Sequence, residues 1–146
     1  PIKVNDQETG RIHFAECCHP IPGDAIRALL VKDKGMIIHR DTCQTLVKAD
    51  PEEQLDAGWD SLRNQTYRTI LNVKSEDAHG LLASMAQAIS NSGADIESVD
   101  TPTKAQAGTE GFVEFKFTIK VKDLDQVNQI VHEMHANPNI RKVIRG

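Results

Sequence analysis

Thr66-Tyr67-Arg68-Thr69-Ile70-Leu71-Asn72-Val73-Lys74 alternates, with Tyr67, Thr69, Leu71 and Val73 on one side. That is the two-residue period of a half-buried strand. A few residues later the period changes. Leu81, Leu82, Met85, Ala86 and Ile89 recur at helical spacing, and Asn91-Ser92-Gly93 closes the run with a glycine suited to a left-handed cap. A strand followed by an amphipathic helix is the opening of a βαβ unit.

Outward from this stretch the pattern repeats. Ala94–Thr101 reads as a second strand. Phe112–Val121 alternates again, with Phe115, Phe117, Ile119 and Val121 opposite Lys116, Thr118 and Lys120. Asp123 is placed to cap a helix whose inner face is Leu124, Val127, Ile130, Val131 and Met134. Pro138 stops that helix, and Ile140–Arg145 is a last strand. The order is βαββαβ, in two halves of about thirty residues each. Right-handed crossovers put both helices on one face of a four-stranded antiparallel sheet. The predicted class is α+β, with a ferredoxin-like unit over residues 65–146. The second sheet face is left without a cover, and Arg68, Ile70 and Asn72 on it are only partly polar. Self-association is the expected remedy.

Residues 1–64 read as a separate, small, β-rich and cysteine-containing unit. Ile12–Glu16 is a short strand, and Pro20, Pro22 and Gly23 turn the chain. Ile26–Lys32 and Met36–His39 are apolar runs joined by a hairpin turn at Asp33-Lys34-Gly35. Asp41 is read as the N-cap of a helix through Lys48, with Leu46 and Val47 facing inward and Pro51-Glu52-Glu53 ending it. Trp59, the single tryptophan, is expected to pack this core.

The 146 residues, 39% hydrophobic and 26% charged, are ordinary for a soluble globular protein. No apolar run is long enough to span a bilayer, so no membrane partner is expected. The net charge is −4, with 8 basic and 11 acidic residues in 1–64. Neither half has the positive field of a dedicated nucleic-acid binder. Three cysteines, two of them adjacent, argue against a disulfide framework and for a reducing cytosol. The chain starts at Pro1 and is expected to be a piece of something longer.

Cys17-Cys18-His19-Pro20-Ile21-Pro22-Gly23-Asp24-Ala25-Ile26, then Gly35, then His39-Arg40-x-x-Cys43, resemble the conserved-cysteine (RIS, or zinc-finger) domain of RelA/SpoT homologues. Asp77-Ala78-His79-Gly80-Leu81-Leu82 followed by Gly93-Ala94-Asp95-Ile96 resembles an ACT domain, which has the βαββαβ plan. In that order the two match the C-terminal end of long (p)ppGpp synthetase/hydrolases. Many members carry glycine where this chain has Ala28; that, with Gly108-Thr109-Glu110-Gly111, leans toward the SpoT-like, hydrolase-dominant bifunctional branch. The resemblance implies a cytoplasmic regulatory piece of the stringent response. The family's manganese-dependent hydrolase and its synthetase lie elsewhere, and neither an HD pair on a helix nor a phosphate-cradling glycine loop occurs here.

Several candidate sites follow. Cys17, Cys18, His39 and Cys43 supply four ligands of the kind zinc takes. Against this, adjacent residues of a strand point to opposite faces, so Cys17 and Cys18 share a metal only if the backbone kinks. Two alternatives stay open: a cysteine buried as a small apolar residue, and a reactive Cys17 beside Arg27, His39 or Arg40, with no helix N-terminus evident nearby. His19 is read as a solvated or locally hydrogen-bonded loop residue, His13 as a surface strand residue, and His132 and His135 as structural. Arg27, Lys32, Lys34 and Arg40 are candidate RNA contacts, the family's domain touching ribosomal RNA in its ribosome-bound members; Asp24, Asp33 and Asp41 dilute them, and a mixed-charge solvated surface is the competing reading. The turn Asp77, Ala78, His79, Gly80, Leu81 and Leu82 offers free N–H groups for a carboxylate. The resemblance adds Asp95 and Ile96 across a homodimer interface and a branched-chain amino acid as ligand. Other partners implied are the enzyme's own catalytic half, the ribosome, and an acyl carrier protein.

Overall fold

In the computed structural model, which describes residues 2–4, 11–60, 65–101 and 111–146, the chain divides into two units, Pro1–Gln65 and Thr66–Gly146. The motif residues 108–110 lie outside the described residues.

The first unit contains β1 (Ile2–Val4), β2 (Ile12–Phe14), β3 (Ile26–Val31), β4 (Gly35–Arg40), α1 (Gln44–Lys48), a 3-10 turn (Pro51–Glu53) and β5 (Gln54–Trp59). These strands form one sheet in the order β1-β5-β3-β4-β2. The central β3 is antiparallel to β4 and β5, and the outer pairs are parallel. Alternation sends Ile26, Ala28 and Ile38 to one face, where they join Val4 and pack against Ile2, Ile12, Phe14, Met36, Ala57 and Trp59. Trp59 is part of this core, as expected: its ring stacks on Phe14 at 5.8 Å and its Nε1–H donates to the Asp24 carbonyl at 3.0 Å. The same alternation turns Leu29 and His39 to the other face.

The expected hairpin turn at Asp33-Lys34-Gly35 is present, with Asp33 at φ +68° and Gly35 at φ +89°. Gly35 answers a second demand as well. A Cβ there would sit 2.5 Å from the Arg11 carbonyl oxygen, which accepts the Met36 N–H at 2.7 Å and registers β2 on β4. Gly35→Ala is therefore expected to cost about 2–4 kcal/mol, from left-handed strain plus backbone displacement. A urea titration followed by Trp59 fluorescence measures it, and an unchanged midpoint contradicts the account.

Four expectations for this unit need correction. The helix starts at Gln44 and not after Asp41: Cys43 is the N-cap, and no side chain caps it. The Cys43 N–H closes a tight turn on the Arg40 carbonyl at 3.0 Å, so residues 40–43 are spent before helical bonding begins. Leu46 is buried, but Val47 is 63% exposed, because a five-residue helix turns only one side chain fully inward. The first strand ends at Phe14, two residues early, since residues 15–19 form a turn. Strands β1 and β5 are not legible in the sequence. Gln54-Leu55-Asp56-Ala57-Gly58-Trp59 has few β-formers, and its pairing with β3 is a tertiary choice.

The second unit contains β6 (Tyr67–Glu76), α2 (Leu81–Asn91), β7 (Asp95–Asp100), β8 (Phe112–Val121), α3 (Leu124–Met134) and β9 (Ile140–Arg145). All pairs are antiparallel in the order β7-β8-β6-β9, the ferredoxin-like arrangement. Tyr67, Thr69, Leu71 and Val73 are buried beside Phe117, Ile119 and Val121. Leu81, Met85 and Ile89 of α2 and Val127, Ile130 and Met134 of α3 close this core. Each fully buried apolar side chain contributes about 1.5–3 kcal/mol. The caps are as read: Gly93 is left-handed at φ +85°, and the Asp123 carboxylate accepts the Gln126 N–H at 2.9 Å. On the helix-free face Arg68, Asn72, Glu114, Lys116, Lys120 and Lys142 are exposed.

Candidate functional site

The residues 15–19 make a single helical turn, with the His19 N–H bonded to the Ala15 carbonyl at 3.0 Å. Neighbours in such a turn diverge by about 100° instead of 180°. This removes the objection to adjacent cysteines. Cys17 and Cys18 reach the same point from the turn, His39 from the penultimate position of β4, and Cys43 from the N-cap of α1.

The four ligand atoms all lie within 4.8 Å of one another. Cys17 Sγ is 3.4 Å from His39 Nδ1 and 3.6 Å from Cys43 Sγ, and Cys18 Sγ is 3.8 Å from His39 Nδ1. A tetrahedral zinc with bonds of about 2.3 Å to sulfur and about 2.05 Å to nitrogen spaces its ligands about 3.8 Å (S–S) and about 3.6 Å (S–N) apart. These three edges lie close to those spacings, and the remaining pairs lie within 4.8 Å. The Arg40 N–H also points at Cys18 Sγ, 3.3 Å away, stabilising charge on the sulfur.

Burial pushes the Cys18 thiol up to about 12, with Cys43 and Cys17 adding to the shift and the Arg40 N–H opposing it. For Cys43, burial works upward but is outweighed by the Thr45 N–H and by bonds to Cys17, Cys18 and the Leu46 N–H, so the thiol ends below its ordinary value. Burial lowers His39, which keeps the imidazole neutral at pH 7 with a lone pair to give. Two pH effects follow. Cys18 must shed a proton to bind metal, so affinity should fall at least about tenfold per pH unit between pH 8 and pH 6. A chelator competition at three pH values reads this, and a flat response contradicts it. The metal-free fold should lose stability below pH 6.5, where unfolded His39 takes a proton that the folded form refuses, and above pH 9.0, where unfolded Cys18 ionises first.

The candidate RNA contacts are not brought together. Lys32 and Lys34 are exposed at the β3–β4 hairpin tip, whereas Arg27 and Arg40 sit at the far end of the same strands. There they alternate to opposite faces, and Arg27 is engaged by Asp56 at 2.5 Å and Gln54 at 3.2 Å. The candidate carboxylate turn stays together at a strand-to-helix junction, whereas Asp95 and Ile96 lie apart from it. Asp77, Ala78, His79 and Gly80 follow the end of β6, and Leu81 and Leu82 open α2 with no side chain capping it. Gly80 is left-handed at φ +74°. Asp95 and Ile96 lie on edge strand β7, level with Arg68 and Thr69 through β8. Nine strand residues, about 30 Å, separate Arg68 from Asp77.

One group of residues is not legible in the sequence as a group. Lys74, Lys116 and Lys142, with Asn72, Glu114 and Ile144, line a depression of about 430 Å³ on the helix-free face. The three lysines come from three strands, so only the register unites them; the single legible sign was the polar side of each alternation.

The description "RelA/SpoT RIS domain" matches residues 2–60, and "ACT domain" matches residues 63–145. Bifunctional (p)ppGpp synthase/hydrolase SpoT of Escherichia coli (strain K12) is 30% identical over 148 residues, 100% of this chain and 20% of that protein. GTP pyrophosphokinase of Myxococcus xanthus is 25% identical over 144 residues, 99% of this chain and 18% of that protein. The ACT domain from GTP pyrophosphokinase of Chlorobium tepidum, a solved structure, is 17% identical with a TM-score of 0.47, covering 56% of this chain and 100% of that one. The chain belongs to the ACT-domain family and joins an RIS domain to its ACT domain, the C-terminal regulatory arrangement of RelA/SpoT-type enzymes. It spans about one fifth of the curated relatives' length (20% of the first). Among the described residues, no helix is long and apolar enough to cross a membrane.

Proposed function

We propose that this chain, an RIS domain over residues 1–64 and an ACT domain over 65–146, reports amino-acid status to the catalytic half of a bifunctional (p)ppGpp synthetase/hydrolase. The ligand is a branched-chain amino acid. The observation that carries the reading is the separation of Asp77–Leu82 from Asp95 and Ile96 by about 30 Å of sheet. One copy cannot enclose a small ligand with both; two copies, each lending one half, can. The carboxylate sits on the open N–H groups at the start of α2, where Gly80 allows close approach. Ile96 and Leu82, 37% and 41% exposed, are the apolar partners for a branched side chain. Such a ligand binds the paired arrangement better than the unpaired one, and that difference is what shifts the population. The test is titration calorimetry with valine, isoleucine and leucine, run beside light scattering. Heat at sub-millimolar concentration with a doubling of mass supports the reading; silence at millimolar concentration sinks it.

In the same reading Cys17, Cys18, His39 and Cys43 hold one zinc. Bound there, zinc supplies a cross-link between the 15–19 turn, β4 and α1. Metal analysis of protein purified without chelator checks it, and less than about a tenth of an equivalent ends the idea. Manganese belongs to the hydrolase outside this chain.

The open sheet face favours a second reading, a docking platform for an acyl carrier protein, the ribosome or a second copy, without small-molecule sensing. A dimer whose mass ignores amino acids would favour it. The separation of Arg27 and Arg40 from Lys32 and Lys34 speaks against RNA as that partner.

A further inference from the structure

We infer that Cys17 and Cys43 are a redox pair, which a peroxide oxidises to a disulfide with release of the metal. The inference rests on the zinc reading for its second half only; the disulfide itself stands on geometry. The two sulfurs are 3.6 Å apart, and both cysteines are free thiols. They come from separate elements 26 positions apart in the chain, the 15–19 turn and the N-cap of α1. Closing to a bond of about 2.05 Å asks for a movement of about 1.5 Å, within reach of a turn and a helix end.

The other pairings are poor. A Cys17–Cys18 bond would join Cα atoms about 3.8 Å apart, below the usual disulfide span of about 4.4–6.8 Å. Cys18 is 2% exposed, faces His39 and accepts the Arg40 N–H, so an oxidant meets it last. Cys17 is the exposed member and Cys43 is partly exposed. Accessibility therefore starts the reaction at Cys17.

The chemistry balances with hydrogen peroxide as oxidant. The Cys17 thiolate attacks one peroxide oxygen, the O–O bond breaks, and hydroxide leaves and takes a proton to become water. Cys17 is then a sulfenic acid. The Cys43 thiolate attacks its sulfur; the S–S bond forms, the S–O bond breaks, and hydroxide leaves and takes the second of the two protons shed by the thiols to become water. Two thiols lose two electrons and one peroxide gains them. Only Cys18 and His39 remain as ligands, and two ligands do not make a structural zinc site. The new bond ties the same turn to the same helix end, so the fold stays clamped while its charge and coordination change. A dithiol reductant reverses it.

The experiment uses the whole 146-residue chain, first assayed for zinc, then exposed to hydrogen peroxide with a chromogenic chelator present. Thiols are alkylated and the peptides mapped by mass spectrometry. The expected result is release of about one zinc per chain, loss of two of the three thiols, a Cys17–Cys43 cross-linked peptide, alkylated Cys18, and recovery with dithiothreitol. Zinc loss with any other product overturns the inference: a Cys17–Cys18 bond, an intermolecular bond or sulfinic acid. So does a chain whose thiols survive peroxide intact. If the purified chain holds no zinc, the metal reading fails, and the same mapping on the metal-free chain still decides the disulfide.

Discussion

Cys18→Ser is expected to lower zinc affinity by at least about 100-fold, since removing a ligand should exceed the 10–100-fold typical of its outer partners. Serine fits the space, so the change isolates ligation from packing. Cys18 sits in the interior of the tetrad, at 2% exposure, with its sulfur already stabilised by the Arg40 N–H. The chain offers a clean optical handle. Its single tryptophan, Trp59, lies in the first unit, so fluorescence follows the unit that holds the candidate metal site. In zinc, the Trp59 transition of Cys18→Ser should fall well below that of the unaltered protein, because structural zinc contributes folding free energy directly. In chelator the two should agree within about 1 kcal/mol, the scale of a lost weak hydrogen bond. Equal stability in zinc would mean that the tetrad holds no metal.

Phe117→Ala should destabilise the second unit by about 3–5 kcal/mol. Phe117 is 0% exposed on β8, a central strand, between Leu71 on β6 and Val99 on β7. Its ring fills the space between the sheet and the two helices, and alanine leaves a cavity that a sheet bonded on both sides cannot collapse to fill. Natural domains hold only about 5–15 kcal/mol in reserve, so the variant should approach unfolding at 37 °C. Urea denaturation followed by far-ultraviolet circular dichroism measures the loss. Leu82→Ala, at a side chain 41% exposed, is the matched control and should stay within about 0.5 kcal/mol. A Phe117→Ala loss no larger than the control's would overturn this account of the core.

Every element of the second unit was legible, with β6 and β7 misplaced by only one or two residues at their ends, because its signals are local. Tyr67, Thr69, Leu71 and Val73 repeat every second position, and Val127, Ile130 and Met134 at helical spacing; those periods are visible without knowing any partner. Asp123 and Gly93 mark helix ends by chemistry that acts within a few residues. In the first unit local signals mislead. Asp41 has the composition of an N-cap but not the position, because the turn closed by Cys43 on Arg40 comes first. Val47 carries an apolar side chain that a five-residue helix leaves in water.

By itself the sequence determined which groups were available: three thiols and an imidazole in one unit, a βαββαβ string in the other, and a glycine at 35. Tertiary structure decided what they do together. The convergence of Cys17 and Cys18 with His39 and Cys43 depends on a turn whose ligand partners lie 21 to 26 residues away. The distance between Asp77 and Asp95 is short along the chain and long in space, because β7 runs back from the far end of the sheet. Strand β5 exists because β3 accepts it. Periodicity and capping are written within a few residues, whereas register and convergence arise only when distant segments share hydrogen bonds and a core.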